Sequence, residues 1–583
     1  MKKILLFCLL FVMSQSQAQV LPSSRSVNWG LAGYRGTIPN YSIVADITAF
    51  GGLGDGSTVN DTAFTNALTS LNGNNGVIYF PAGTYLFNAP VDLLSGIIIR
   101  GAAADSTTLK FDLGGNPQDA INISGSGSNT TALLTSNADK DSSSITVDDA
   151  SGFVAGDYIL LSFNDSSLMF SSWAYGTGGQ VIKINTITGN TITLESPLRR
   201  DYDVSKNPKI KKLNMVTGTG IECMKIERMD ATTSQTSTIA YTYAAQCWVS
   251  GIEMYNCNFA HIEINTSTNI SITGSYFHDA HAYGGGGKGY GVLCQSTTGE
   301  CLTENNIFKH LRHSMLLQSG ANGNVFGYNY SINAYWTEFP NNAAGDMVLH
   351  GNYPYANLFE GNIGQNIVID NSHGINGPYN TFLRNRGELF GIFMNTNPAS
   401  DNQNFIGNEV TNNGFSLGLY MLNGTGHFQH GNNVKGTIYA SGTTTLTDTS
   451  YYLSGQPDFL QTSSWPSIGI PNTINSGTIP AKTRYQALNY TTCSTVLPTS
   501  VSGKIHDNTT LRLFPNPTNG LLYINSKVPA DIAIYTNVGA LVAEYFGIES
   551  SAPIDVSGLS KGMYIVRIKT GDKTATPVKL LIY

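Results

Sequence analysis

Between residues 278 and 388 the sequence gathers side chains that can move protons or neutralise an anion. His278, Asp279, His281, Lys288, His310, Arg312 and His313 surround the glycine run 284–287, and Asp346, His350, Asp370, His373, Arg384, Arg386 and Glu388 follow. His350-Gly351 and His373-Gly374 stand 23 residues apart. Groups of these types suit two reactions. In an elimination next to a carboxylate, a cation neutralises the acid, a base removes the adjacent proton, and the leaving oxygen is protonated. In an inverting hydrolysis two carboxylates act as acid and base, about 6.5–9.5 Å apart. Lys288, Arg312, His313, His350 and His373 are the candidate catalytic groups for the first. His278, His281, Asp346, Asp370, Arg384 and Arg386 are candidate substrate contacts, and Asp346 with Asp370 is the carboxylate pair a hydrolysis would use. The excess of His, Lys and Arg over carboxylates favours elimination.

Other chemistries lack their patterns. The glycine run is followed by no Gly-Lys-Ser/Thr step, so it is not a phosphate loop, and the histidines lack the His-Glu-x-x-His spacing of a zinc site. No cofactor is expected. Scattered acidic groups leave room for Ca²⁺ without specifying a site.

The elements that must position these residues are legible as a repeat. Asn362, Asn385 and Asn408 are spaced 23 and 23 apart, and Asn306 and Asn329 are also 23 apart. The gap from Asn329 to Asn362 is 33, so that coil carries a loop about ten residues longer, including Ala334 to Ala344. Short apolar runs lie between: Gly291–Cys294, Met315–Leu317, Met347–Leu349 and Ile367–Ile369. Strands stacked about 4.8 Å apart would place each Asn on the next, as Asn ladders do. Counting back 11 residues from Asn362 and Asn385 reaches Gly351 and Gly374, so the two His-Gly pairs keep the same register.

Composition agrees. Of 583 residues only 12% are Asp, Glu, Lys or Arg, about half the usual share, while glycine numbers 62. That excludes a coiled coil or helical array, and ordinary hydrophobic content (41%) excludes a disordered chain. A net charge of −7 (32 basic, 39 acidic) gives no reason to bind nucleic acid or an anionic membrane. In a stack of coils, ladders of like charge would repel, and Asn, Ser, Thr and Gly fill the turns instead.

At the start, Lys2, Lys3, the apolar run Ile4–Met13 and Ser16-Gln17-Ala18 form a secretory signal over residues 1–18. No later segment is long and apolar enough to span a bilayer. Beyond Cys8, six cysteines remain, at 223, 247, 257, 294, 301 and 493, and their loose spacing reads as buried, mostly free thiols. Asn60 or Asp61 starts a helix whose Phe64, Ala67, Leu68 and Leu71 share a face. The strands Val77–Phe80 and Ile97–Ile99 follow.

This stretch resembles the N-terminal region of the pectate-lyase superfamily of right-handed parallel β-helices. The matching residues are Phe50–Gly56, the Asp61 helix, Val77–Tyr85 and Ile97–Gly101. The resemblance implies an all-β fold: a right-handed parallel β-helix solenoid over 19–493, its first coil capped by the helix. Residues 132–215, with strands at Ser144–Val147, Asp157–Leu161, Val181–Ile184 and Thr191–Leu194, form a small inserted β domain. Its basic end (Arg199, Arg200, Lys206, Lys209, Lys211, Lys212) is either a solvated turn or a guide for an anionic polymer. After Gly436 the pattern loosens into an extended tail marked by Ser464-Trp465-Pro466 and Ile479-Pro480-Ala481. Residues 494–510 read as a linker.

The final segment, 511–583, resembles the C-terminal sorting domain of type IX secretion substrates. Phe514–Gly520, Ile534–Gly539, Leu559–Val566 and Lys579–Tyr583 carry the likeness, which implies a small β-sandwich and a partner in the type IX machinery. The sequence therefore points to a secreted or cell-surface monomer acting on a polysaccharide. Three activities remain open: a lyase on a uronic-acid polymer, a glycoside hydrolase on the same fold, or a non-catalytic carbohydrate-binding protein. The calcium-binding Asp pair of classical pectate lyases and the carboxylate series of polygalacturonases are not present as such.

Overall fold

The computed structural model describes residues 19–461, 463–493, 512–514, 518, 520–525, 529–536, 540–549, 552–570, 573–574 and 578–582. The signal segment and the linker lie outside them. Two compact units result, Met1–Leu497 and Pro498–Tyr583.

Among the described residues the larger unit is built on two long sheets of 13 and 21 strands, parallel along nearly their whole length. Each turn of chain adds a strand in register with the last. Met315 pairs with Met347, Met347 with Ile367 and Ile367 with Ile392, so like residues stack on like through the core. Phe326, Phe359, Phe382 and Phe405 do the same, their rings stacked at 5.3, 5.0 and 5.2 Å. A residue type chosen once per coil thus becomes a continuous apolar column, which is the structural use of the repeat.

The asparagines hold the turns. Asn306, Asn329, Asn362, Asn385, Asn408 and Asn432 are buried, and each side-chain amide donates to the next Asn Oδ1, which also accepts the preceding backbone N–H, at 2.8–3.1 Å. A second ladder runs beside it through Asn324, Asn357, Asn380 and Gln403. In a parallel coil every turn leaves backbone groups without strand partners, and the amides satisfy them.

The helix Asp61–Ser70 buries Ala63, Phe64 and Ala67 on the end of the column. Asn60 does not cap it with its side chain. Its amide instead accepts from the Leu53 N–H at 2.8 Å and donates to the Thr58 carbonyl at 2.7 Å, tying down the chain before the helix.

The insertion is a six-stranded antiparallel sheet that begins at Ser126 rather than 132. It has its own core around Ile145, Ile159, Leu161, Ile182, Ile192 and Ile210. Its basic end divides. Lys212 pairs with Asp157 at 2.7 Å within the insertion. Arg199 is buried, bonded to Glu300 and, at 2.6 Å, to Asn322, while Arg200 lies over Phe163, Tyr353 and Tyr355. These two arginines fasten the insertion to the solenoid and are neither a solvated turn nor a polymer guide.

The tail 440–493 runs back along the coils. Leu460, Ile468, Ile479 and Ala481 bury against Tyr276, Ile307, Tyr328 and Tyr330. The stretch after Ile479 is a short helix, Pro480–Gln486, rather than extended chain. Cys493 at its end forms a disulfide with Cys223, while Cys247, Cys257, Cys294 and Cys301 are free and buried. In the smaller unit two antiparallel sheets share one core of Leu522, Ile524, Ile532, Ile534, Ile554, Val566 and Ile568, a β-sandwich.

Candidate active site

Rings and guanidinium groups form a continuous chain of contacts across successive coils. It begins where Tyr276–His278 and Ile307–Lys309 pair in parallel. His278 stacks on Tyr276 at 4.2 Å, and its two ring nitrogens face Asp279 Oδ2 at 2.9 Å and Glu253 Oε1 at 3.2 Å. Asp279 Oδ1 holds His310 Nδ1 at 2.7 Å. Burial pushes the Asp279 carboxyl up, but the bonds from His278 and His310 outweigh it and hold it at about 2.

From His310 the contacts pass to Tyr283 (4.8 Å) and Tyr335 (5.1 Å). Trp336, beside Tyr335 on the long 333–346 loop, lies against the Arg312 guanidinium at 5.9 Å. Arg312 also covers Tyr290 at 5.8 Å and donates to the Gly284 carbonyl at 2.7 Å, so the glycine run is closed onto this arginine. Lys288, half-buried, sits in the same loop two residues before Tyr290.

Three histidines continue the row. Tyr290 and His313 are register partners with rings 5.2 Å apart, His313 and His350 are 5.4 Å apart, and His350 and His373 are 5.1 Å apart. His313 donates through Nδ1 to the Gly345 carbonyl, 3.2 Å away. Burial, with His350 and Arg312 nearby, drives its pKa well below the usual imidazole value. His373 is lowered too, by burial and by His350. His350 Nδ1 meets Asp370 Oδ2 at 2.8 Å. Burial raises Asp370, yet the His350 and Ser372 bonds prevail and keep it well below the ordinary carboxylate range. With Nδ1 donating to a carboxylate, His350, itself 5% exposed, carries its lone pair at Nε2, which has no hydrogen-bond partner among the described residues.

The glycines after two of these histidines are required. Gly351 has φ +79° and Gly374 φ +76°, and a Cβ on Gly351 would come within 2.5 Å of the His373 backbone. On Gly374 it would come within 2.6 Å of Phe170, which belongs to the insertion. Trp173 of the same insertion loop ends the row, edge-on to His373 at 5.8 Å and 54% exposed. A hollow of about 430 Å³ lined by Asn371, Phe393, Asn395 and Met421 opens next to Asp370 in sequence.

The structure thus brings Arg312, His313, His350, His373 and Asp370 together, with Lys288 in the adjoining loop and His278 at the far end. His281 turns aside, bonded to the Arg228 carbonyl at 3.0 Å. Three expected substrate contacts are not available to a ligand. Asp346 is fully buried, accepting from Ser331 and, at 2.7 Å each, from the Gln365 and Asn366 N–H groups, and burial pushes its pKa up to about 6. It anchors the end of the long loop, and it therefore cannot pair with Asp370 across a substrate. Arg384 is buried, donating to the carbonyls of Asp448, Ile468 and Ile470 in the tail. Arg386 is buried against Glu409 at 2.7 Å and the Gly477 carbonyl. Both flank ladder residue Asn385 and bind the tail, whose course no repeat reveals. Trp173, Tyr335 and Trp336 sit on loops outside the period and have no repeat to reveal them; the extra length of the 329–362 coil is the only trace of Tyr335 and Trp336, and Trp173 lies in the insertion. Among the described residues no group of three His, Cys, Asp or Glu side chains is placed to hold a metal ion.

Residues 44–151 match the family described as rhamnogalacturonase A/epimerase, pectate lyase-like. Residues 512–583 match the secretion system C-terminal sorting domain. No curated protein matches the chain in sequence. Among solved structures, the tailspike protein gp49 of Pseudomonas phage LKA1 is 16% identical over 63% of this chain and 64% of its own, with a TM-score of 0.45. The gp54 tailspike of Acinetobacter baumannii bacteriophage AP22, solved with a capsular saccharide, is 14% identical over 67% and 70%, TM-score 0.34. An exopolygalacturonase from Thermotoga maritima is 11% identical over 68% and 78%, TM-score 0.29. The chain is a parallel β-helix protein with a pectate lyase-like N-terminal segment and a C-terminal sorting domain that directs it through type IX secretion to the cell surface or beyond.

Proposed function

We propose that the protein is a polysaccharide lyase that cleaves a uronic-acid-containing polymer by β-elimination. The observation that carries this reading is the His350–Asp370 pair set in a row of imidazoles with Arg312 at its flank. Arg312 and Lys288 neutralise the uronate carboxylate, which makes the C5 proton acidic. His350 Nε2 takes that proton, and the electron pair left behind forms the C4–C5 double bond as the C4–O bond breaks. The imidazolium is stabilised by Asp370 and returns its proton to the departing oxygen. His313 and His373, lowered by burial, stay neutral at pH 7 and add no positive charge that would disfavour the imidazolium. The match of residues 44–151 to a pectate lyase-like family supports a polysaccharide substrate.

Digestion of polygalacturonate, alginate, ulvan and chondroitin sulfate tests it. Ultraviolet absorbance from an unsaturated uronate end is the expected product signal. Reducing sugar released without that absorbance would replace the lyase by a hydrolase. Binding with no product in any digest would make this a carbohydrate-binding protein.

A further inference from the structure

The insertion's loop over residues 165–178 is fastened at several points yet leaves its largest side chains in solvent. Asp165, 2% exposed, accepts the Gly176 and Gly178 N–H groups at 2.7 Å, closing the loop on itself. Asn352 Oδ1, between the His350 and His373 turns, accepts both the Phe170 and Ser171 N–H at 2.9 Å. Thr297 Oγ1 donates to the Thr177 carbonyl at 2.7 Å, securing the far side. Phe170, Trp173 and Tyr175 are nevertheless 69%, 54% and 52% exposed. A loop held this firmly has paid its ordering entropy, and folding alone gives no reason to spend it on displaying three aromatic rings.

We infer that these rings form a sugar-stacking subsite, in which Trp173, flanked by Phe170 and Tyr175, receives the apolar face of a pyranose unit beside the His350–His373 row. Pyranose C–H groups form an apolar patch that suits the electron-rich face of an indole. Trp173 meets His373 with the two ring planes 83° apart and stays 54% exposed, so the subsite is continuous with the row rather than a separate patch. The bound unit belongs to the same polymer that the row would cleave, so the identity of the ligand rests on the elimination reading. The subsite itself stands on the loop. It gives the insertion a role: a β domain interrupting an early coil delivers an aromatic platform to coils nearly two hundred residues later.

The test uses the full chain. His350→Ala protein is run by affinity electrophoresis through gels containing polygalacturonate, alginate, ulvan or chondroitin sulfate, alone and combined with Trp173→Ala or Trp173→Phe. In parallel, kcat and KM are measured for the Trp173 variants with His350 intact. The expected result is an apparent Kd raised about tenfold by W173A and largely restored by W173F, with KM raised similarly and kcat little changed. Equal retardation with and without Trp173, or no retardation in any of the four gels, overturns the subsite. Trp173-dependent retardation by a protein that releases no unsaturated product keeps the subsite and removes the elimination reading. Unsaturated product with KM unchanged in W173A does the reverse.

Discussion

His350 Nδ1 and Asp370 Oδ2 lie 2.8 Å apart, although 20 residues and a full coil separate them. The pairing follows from register: Met347, Val348 and Leu349 stand opposite Ile367, Val368 and Ile369, so the next residues on the two coils, His350 and Asp370, meet side by side. The contact fixes the tautomer of a histidine whose other nitrogen meets no hydrogen-bond partner among the described residues.

Replacing His350 by Ala should abolish turnover. Asp370→Asn keeps the shape but not the charge, and should lower kcat by roughly 10²–10⁴-fold with KM little changed. Steady-state kinetics on the degraded polymer, with circular dichroism as a check on folding, decides it. Near-normal kcat in both variants would remove the pair from catalysis.

Acid stability should depend on His313. Its folded-state pKa lies below the usual 6.5, so the unfolded chain takes up the proton first. The stability linked to neutral His313 is fully present above pH 6.5 and is lost as pH falls toward the folded value. His313→Gln, which cannot charge, should therefore lose less stability than wild type between pH 6.5 and 5, read as ΔTm by differential scanning fluorimetry. An identical pH profile would contradict the burial of the ring.

Arg386 should matter to folding and not to turnover. Its bond to Glu409 is nearly free of solvent, and truncation leaves Glu409 buried with its charge less balanced. Arg386→Ala should cost about 3–5 kcal/mol by urea unfolding while kcat at low temperature stays near wild type. A loss of kcat in still-folded protein would restore Arg386 to the site.

The asparagine ladder should be as costly to break as a core residue. Asn385→Ala leaves the Asn362 N–H without its acceptor and removes one bond each from the Asn362 amide, the Asn408 oxygen and the Phe359 carbonyl, while the Asn362 amide keeps Phe326 and the Asn408 oxygen keeps the backbone N–H of residue 385. At roughly 1–3 kcal/mol for an unsatisfied buried group and about 1 kcal/mol for a lost bond, the variant should unfold a few kcal/mol more easily or fail to accumulate. A change below about 1 kcal/mol in the urea midpoint analysis would mean that the neighbouring coils close the gap.

What the sequence revealed was whatever recurs. Asn306 to Asn408 announced their ladder because each coil reuses the position, and His350 with His373 did so by the same 23-residue step. His313 escapes that step: the longer coil sets register partners 32 apart, and His313 opens its strand while His350 follows the next, yet their rings lie 5.4 Å apart. Arg384, Arg386 and Asp346 looked like surface charges because nothing in their own repeat encodes the tail or the loop that covers them. The platform at Trp173 was hidden for a related reason. It comes from a domain with its own core, and only the contacts of Asn352 and Gly374 betray where that domain lands.

The Cys223–Cys493 bridge also has a bearing on what happens downstream of it. Residue 493 is the last one before the segment leading to the sorting domain, and the disulfide welds it to a coil 270 residues earlier. It serves as a strain relief, like the clamp where a cable enters its housing. Tension on the chain beyond residue 493, or a cut there, would meet this covalent bond before it met the tail. The tail that sequesters Arg384 and Arg386 is thereby tied at its end to the solenoid it packs against.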